Sequence, residues 1–278
     1  MQNKKLIAGI VALLIIILGG VLIYNYVLSE PEAASGPIEA VPLELNTPAP
    51  QPTTAPSDPL PTEAAPTEVP PTAAAETATE APTPTDVPPT DTPAPTATPV
   101  TPILYEISQT DSRVTFTLQE DLAGVRTTVV GTTDQVAGQI AVNVADLTTA
   151  QVGVITINAR TLLTDNNFRN NAIRNRILNT DQFEFITFTP TQVVGLPASV
   201  AAGEAVTFQI VGNLTIRDIT NEVTFEVTAT ATSDTQIAGT ATAIVTRSAY
   251  ELVIPSVPDV ANVTDEVQLT IDFVAVSG

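Results

Sequence analysis

Two stretches of this chain alternate apolar and polar residues with a period of two, and that regularity restricts the fold more than any other feature. Val223, Phe225, Val227, Ala229 and Ala231 take one side, against Thr224, Glu226, Thr228 and Thr230. Val267, Leu269, Ile271, Phe273 and Ala275 repeat the pattern against Gln268, Thr270 and Asp272. Successive side chains of a strand point to opposite faces, so each stretch has one face for a core and one for water, as antiparallel sheet requires. Further strand signals lie at 114–118, 136–144, 152–159, 185–193, 206–216 and 236–246, with short polar spacers such as Ser233–Thr235 between neighbours. The expectation is an all-β domain, an antiparallel meander closing into a barrel.

One segment breaks the pattern. Residues 165–178 read D-N-N-F-R-N-N-A-I-R-N-R-I-L, and the Asp and Asn residues at the start suit a helix cap. The apolar positions do not form one stripe, because Phe168 pairs with Ala172 while Ile173 pairs with Ile177 on nearly the opposite side. A short helix followed by an irregular turn is expected here.

Before this domain come two segments of different composition. Leu6 to Leu28 is uncharged and rich in Leu, Ile and Val, long enough to span a bilayer core that needs roughly 20 apolar residues. Lys4 and Lys5 precede it and Glu30 and Glu32 follow, so the positive-inside bias places the N-terminus in the cytoplasm and the rest outside. A cleaved signal peptide is the rival reading, but its apolar core is normally about 7–15 residues. Residues 1–28 are therefore expected to be a single-pass cell-membrane anchor, with the C-terminal domain extracytoplasmic. Twenty of the 24 prolines fall in the next segment, 29–102, among Thr, Ala and Glu. Proline removes a backbone donor and biases its predecessor to extended geometry, so neither helix nor sheet propagates there. A disordered linker is expected over 29–102, ahead of a folded domain over 103–278. As a flexible coil such a linker averages about 50 Å end to end.

The formal net charge of -20 argues against nucleic acid, since so acidic a surface repels phosphate backbones. The chain has no cysteine and no histidine, which removes disulfides, thiolate nucleophiles, Cys/His metal sites and imidazole bases. No carboxylate pair stands out by spacing, and the D-N-N at 165–167 lacks the glycine and terminal glutamate of a calcium loop. A non-catalytic domain without cofactor or metal is expected; a carboxylate-dependent enzyme is the alternative from another class.

Ala229, Ala231, Gly239, Ala241 and Ala243 fall on one face of the strand pair 227–245. If that face points inward, small side chains either leave room for a ligand or permit close packing of a filled core. The second option describes a structural or adhesive module on a stalk. Arg169, Arg174 and Arg176 form the densest basic cluster after the N-terminus, and either meet an anion or pair with Asp165, Asp181 and Glu184.

The sequence T-D-N-N-F-R-N-N-A-I-R-N-R-I-L-N-T-D-Q-F-E-F-I-T-F, followed about twenty residues later by G-N-L-T-I-R-D-I-T-N-E-V, resembles the YceI family of lipocalin-like barrels that bind polyisoprenoid or other long amphiphilic lipids. Arg169, Asn170, Ile173 and Arg174 fall on the family's first pattern, and Ile186, Thr187 and Phe188 on the strand after it. Gly212, Leu214, Thr215, Ile216, Thr220 and Val223 fall on the second. The resemblance covers about 103–278 and implies a lipocalin-like barrel with a short helical insert. It implies a bound long-chain lipid, such as a polyprenyl compound or a quinone. The expected cavity lining is Phe168, Ile173, Phe188, Phe208, Phe225, Ala229, Ala231, Ala241, Ala243 and Phe273, with Arg169 and Arg174 as headgroup contacts. Departures fall on polar positions: the family's histidine is Ala172, its aspartate Asn170, and its aromatic pair Ile177 and Leu178. Those changes bear on the headgroup more than on the fold.

Overall fold

The structure is a computed structural model that describes residues 32–45 and 101–278. The anchor expected at 6–28 lies outside the described residues, as does most of the expected linker. Among the described residues, no helix is long and apolar enough to cross a membrane.

The strands are β1 (Ile103–Ile107), β2 (Arg113–Leu122), β3 (Val125–Thr133), β4 (Val136–Ala137), β5 (Gln139–Val142), β6 (Gln151–Val152), β7 (Ile155–Asn158), β8 (Phe185–Val194), β9 (Ala205–Ile216), β10 (Ile219–Ser233), β11 (Gln236–Thr246), β12 (Val260–Ala261) and β13 (Glu266–Ser277). They pair in the order β4-β7-β8-β9-β10-β11-β13-β1-β5-β6, with β2 between β13 and β3. All pairings are antiparallel. Only Gly138 separates β4, at one end of the path, from β5, next to β6 at the other, so one stretch of chain links both sides and the sheet curls back on itself. A Cβ on Gly138 would lie 2.4 Å from the end of the Ile155 side chain, which would have to shift to admit it.

The alternation read from sequence is the alternation of burial. Val223, Phe225 and Val227 are buried while Thr224, Glu226 and Thr228 are exposed; Val267, Phe273 and Ala275 are buried along β13. Three strands were not expected from sequence, the two-residue β12 and two longer ones. In β3 the buried positions are Val129, Gly131 and Thr133, too small and polar to register as an apolar face. In β1 the outward Leu104 is apolar like the inward Tyr105 and Ile107, which hides the period.

Strand direction defines two ends of the barrel. One carries the β2–β3 turn, residues 159–184, the β9–β10 turn at 217–218 and the connection 247–265; this is the helix end. The opposite end carries 143–150, 195–204, the turn at 234–235 and the C-terminus. At the helix end, α1 (Asn167–Ala172) begins at Asn166, whose side chain accepts from the backbone N–H groups of Phe168 and Arg169. A π-helical turn, Ile173–Ile177, follows directly. Its extra residue per turn rotates Ile173 and Ile177 away from Phe168, which accounts for the two opposed apolar pairs.

Residues 32–45 lie against the barrel, although their composition places them in the expected linker. Glu32 pairs with Arg160 at 3.0 Å, and Ser35 donates to Glu184 from its backbone at 2.7 Å and its hydroxyl at 2.5 Å. Ile38 is buried, its carbonyl accepting from Gln109, and the Leu43 N–H donates to Gln139 at 2.8 Å. The linker reading missed this strap because its contacts come from scattered single residues rather than from any periodic face.

Candidate functional site in the barrel interior

The inward faces of the strands enclose two apolar compartments. The first, about 170 Å³, lies toward the opposite end and is lined in part by Phe188, Phe208, Phe225, Ala229, Ala231, Ala241 and Phe273. The second, about 150 Å³, lies under the helix end and is lined by Ile173, Phe188, Phe225, Leu162, Ile177 and Leu252, among others. Phe188 and Phe225 line both, meeting edge to face with ring centroids 4.9 Å apart and planes at 70°. This pair forms a waist between the compartments.

Glycines beside the strand aromatics let their rings lie against the wall. A Cβ on Gly239 would stand 2.8 Å from the Phe273 ring, one on Gly212 2.6 Å from the Phe188 ring, and one on Gly131 2.1 Å from the Phe116 ring. The small-residue face therefore does two things. Gly239 makes room for Phe273, whereas Ala229, Ala231 and Ala241 leave open volume in the first compartment. Ala243 points inward but is packed in the core and lines neither compartment.

Phe168 departs from the expected lining: it is 84% exposed on the outer side of α1. There it borders a third, outer groove of about 270 Å³, which shares Leu118, Ile173, Ile177 and Ile254 with the second compartment. The residues that sequence reasoning missed are mainly those of the second compartment, such as Leu162, Leu252 and Ile254. The last two lie in an irregular connection, where no period marks an inward face.

The two arginines expected at a headgroup line neither compartment. Arg169 is held by two carboxylates, Glu120 at 2.6 Å and Asp165 at 2.5 Å, the first of them buried. Arg174 donates to the Arg160 carbonyl at 3.5 Å and to Asn171 at 3.3 Å. Arg247 clamps the connection at the helix end, donating to the carbonyls of Thr264, Leu252 and Val263 at 2.8, 3.0 and 3.3 Å. Burial pushes the Tyr250 phenol up from its ordinary value, with Asn221 acting in the opposite sense, so it stays neutral at the edge of the second compartment. Polar lining is sparse, with Glu204 and Thr230 in the first compartment and Thr115, Thr246, Arg247 and Tyr250 in the second. Among the described residues, no group of three or more acidic side chains is placed to hold a metal ion. Such an interior suits an apolar chain and offers it few hydrogen bonds.

A family model described as the YceI-like domain matches residues 105–275. Among solved structures, a polyisoprenoid binding domain from Saccharophagus degradans is similar at 15% identity and a TM-score of 0.50, covering 63% of this chain and 99% of that one. BcnA from Burkholderia cenocepacia is similar at 19% identity and a TM-score of 0.48, covering 60% and 98%. No curated protein sequence matches the chain.

Proposed function

Since the chain belongs to the YceI-like family, we propose that its barrel holds one long-chain apolar molecule, of the polyprenyl or quinone class, without changing it chemically. The observation that carries this reading is the pair of apolar compartments that meet at the Phe188–Phe225 pair. The similar domain from Saccharophagus degradans is described as polyisoprenoid binding, which points to the same ligand class. Held away from water, such a tail gains about 0.8 kcal/mol per CH₂ group, enough to retain it without strong polar contacts. A repeating branched chain also suits two successive compartments better than one rigid ring system does. We further propose that residues 1–28 anchor the chain in the cell membrane with the barrel on the extracytoplasmic side, and that 103–278 is the binding domain. The uncharged run 6–28 with Lys4 and Lys5 before it supports that orientation.

The test is mass spectrometry of an organic extract of the purified full chain. A polyprenyl or quinone species in stoichiometric amount is expected. Ala241→Phe should abolish its recovery by filling the first compartment, while the far-UV circular dichroism stays that of the parent. An extract without lipid, together with a structure whose interior is filled by its own side chains, would leave the stalked structural module as the better reading.

A further inference from the structure

We propose that the helix end of the barrel rests on the bilayer that anchors the chain, its apolar rim entering the lipid interface around the outer groove. This rests on the lipid-carrier reading and adds the place where the ligand enters. Phe168 is 84% exposed and Val253 75%, and Leu122 and Val257 are exposed beside them. A single exposed apolar residue is ordinary, whereas several grouped at a cavity mouth mark a contact surface. Phe168, Leu122 and Val257 border the outer groove, Val253 lies on the connection next to it, and the side chains of Leu118, Ile173, Ile177 and Ile254 are all that stand between the groove and the second compartment.

The strap identifies the occupant. Glu32 is fixed at the helix end, its carboxylate on Arg160 and its N–H donating to Asp181 at 3.0 Å. Leu28, the last residue of the uncharged apolar run, is four residues away, a reach of at most about 14 Å. A membrane entered by residues 6–28 therefore meets this end of the barrel and not the other. Every arginine of residues 101–278 except Arg113 lies at the helix end, where Asp165, Asp181, Glu184, Asp218, Glu251, Asp259 and Asp265 offset them, while the opposite end presents Asp146, Glu204 and Asp234 with no cation. The carboxylates of Asp165, Asp181 and Asp259 at the helix end favour zwitterionic over anionic headgroups. An apolar tail leaving such a bilayer passes along the groove into the second compartment without crossing water.

The absence of cysteine makes the test direct. Full chain carrying Phe168→Cys, Val253→Cys or Asp234→Cys is labelled with an environment-sensitive dye and reconstituted in phosphatidylcholine vesicles with brominated acyl chains. Dyes at 168 and 253 should be quenched, as expected for groups about 5–10 Å into the interface, and the dye at 234 should not. Rim dyes quenched no more than the dye at 234 would overturn the proposal. Lipid extracted from the same preparations reads the carrier function separately. Quenching without extractable lipid supports docking and removes the ligand; lipid without quenching overturns docking alone.

Discussion

Gly212 shows how far a single hydrogen matters in this wall. A Cβ there would stand 2.6 Å from both the Thr189 carbonyl and the Phe188 ring, and the carbonyl belongs to a neighbouring strand that cannot yield. Gly212→Ala is therefore expected to cost about 1–3 kcal/mol by overpacking. Because the same ring forms the waist, it should also lower lipid recovery. A denaturant midpoint equal to that of the parent would show that the wall is looser than its geometry. Gly124, at positive φ with open space around it, serves as the contrast: alanine there meets backbone strain but no clash. At this scale the sequence was partly legible. Inward parity along β10 and β11 identified Ala229, Ala231 and Ala241, yet parity cannot separate an alanine facing a void from Ala243, packed in the core. Arg169 was legible only as one of two options, since its partner Glu120 is distant in sequence and reached through the fold.

The strap is the element least visible in the chain and most dependent on specific partners. Its centre is Arg160, which pairs with Glu184 at 3.0 Å while donating to the carbonyls of Thr180 and Ala33. Both charged side chains are largely buried, so Arg160→Met leaves the Glu184 carboxylate without its cation. A loss of about 3–5 kcal/mol is expected, read as a shift in the denaturant midpoint. Burial alone would raise the Glu184 pKa. Hydrogen bonds from Ser35 and Asn158 and the Arg160 charge outweigh it and hold the carboxyl below its ordinary value. A carboxylate depressed in the folded state stabilises it above the ordinary value of about 4.3, and that stabilisation is lost as pH falls through the lower folded-state value. A dye on Gly36→Cys, where the added side chain meets open space, should therefore keep a high anisotropy at neutral pH and lose it only in acid below that range. A drop centred near neutrality would reject Glu184 as the clamp. The strand elements lie at the other extreme. β10 and β13 were legible residue by residue because each faces water on one side, while β3 was hidden by glycine and threonine on its inner face. The helical insert was legible in outline, since the opposed pairs at 168/172 and 173/177 already required a break in the helix.

For the whole molecule, the proposed anchor and outward placement of the barrel predict that protease added to intact cells reaches residues 46–100. Complete protection there would reject the orientation. Release of the barrel is a separate matter. On one side of that stretch the strap at 32–45 is bound to Arg160 and Gln139 of the barrel that begins at Ile103 on the other, so one cut does not make a free domain. It makes a two-piece complex, whose halves part at a rate set by the strap contacts rather than by the protease. A nicked chain should thus stay with the membrane fraction until dilution, acid or an excess of peptide 32–45 exchanges the clasp. Shedding of this barrel would then be a dissociation with its own half-life, and its cleavage and its departure could be timed apart.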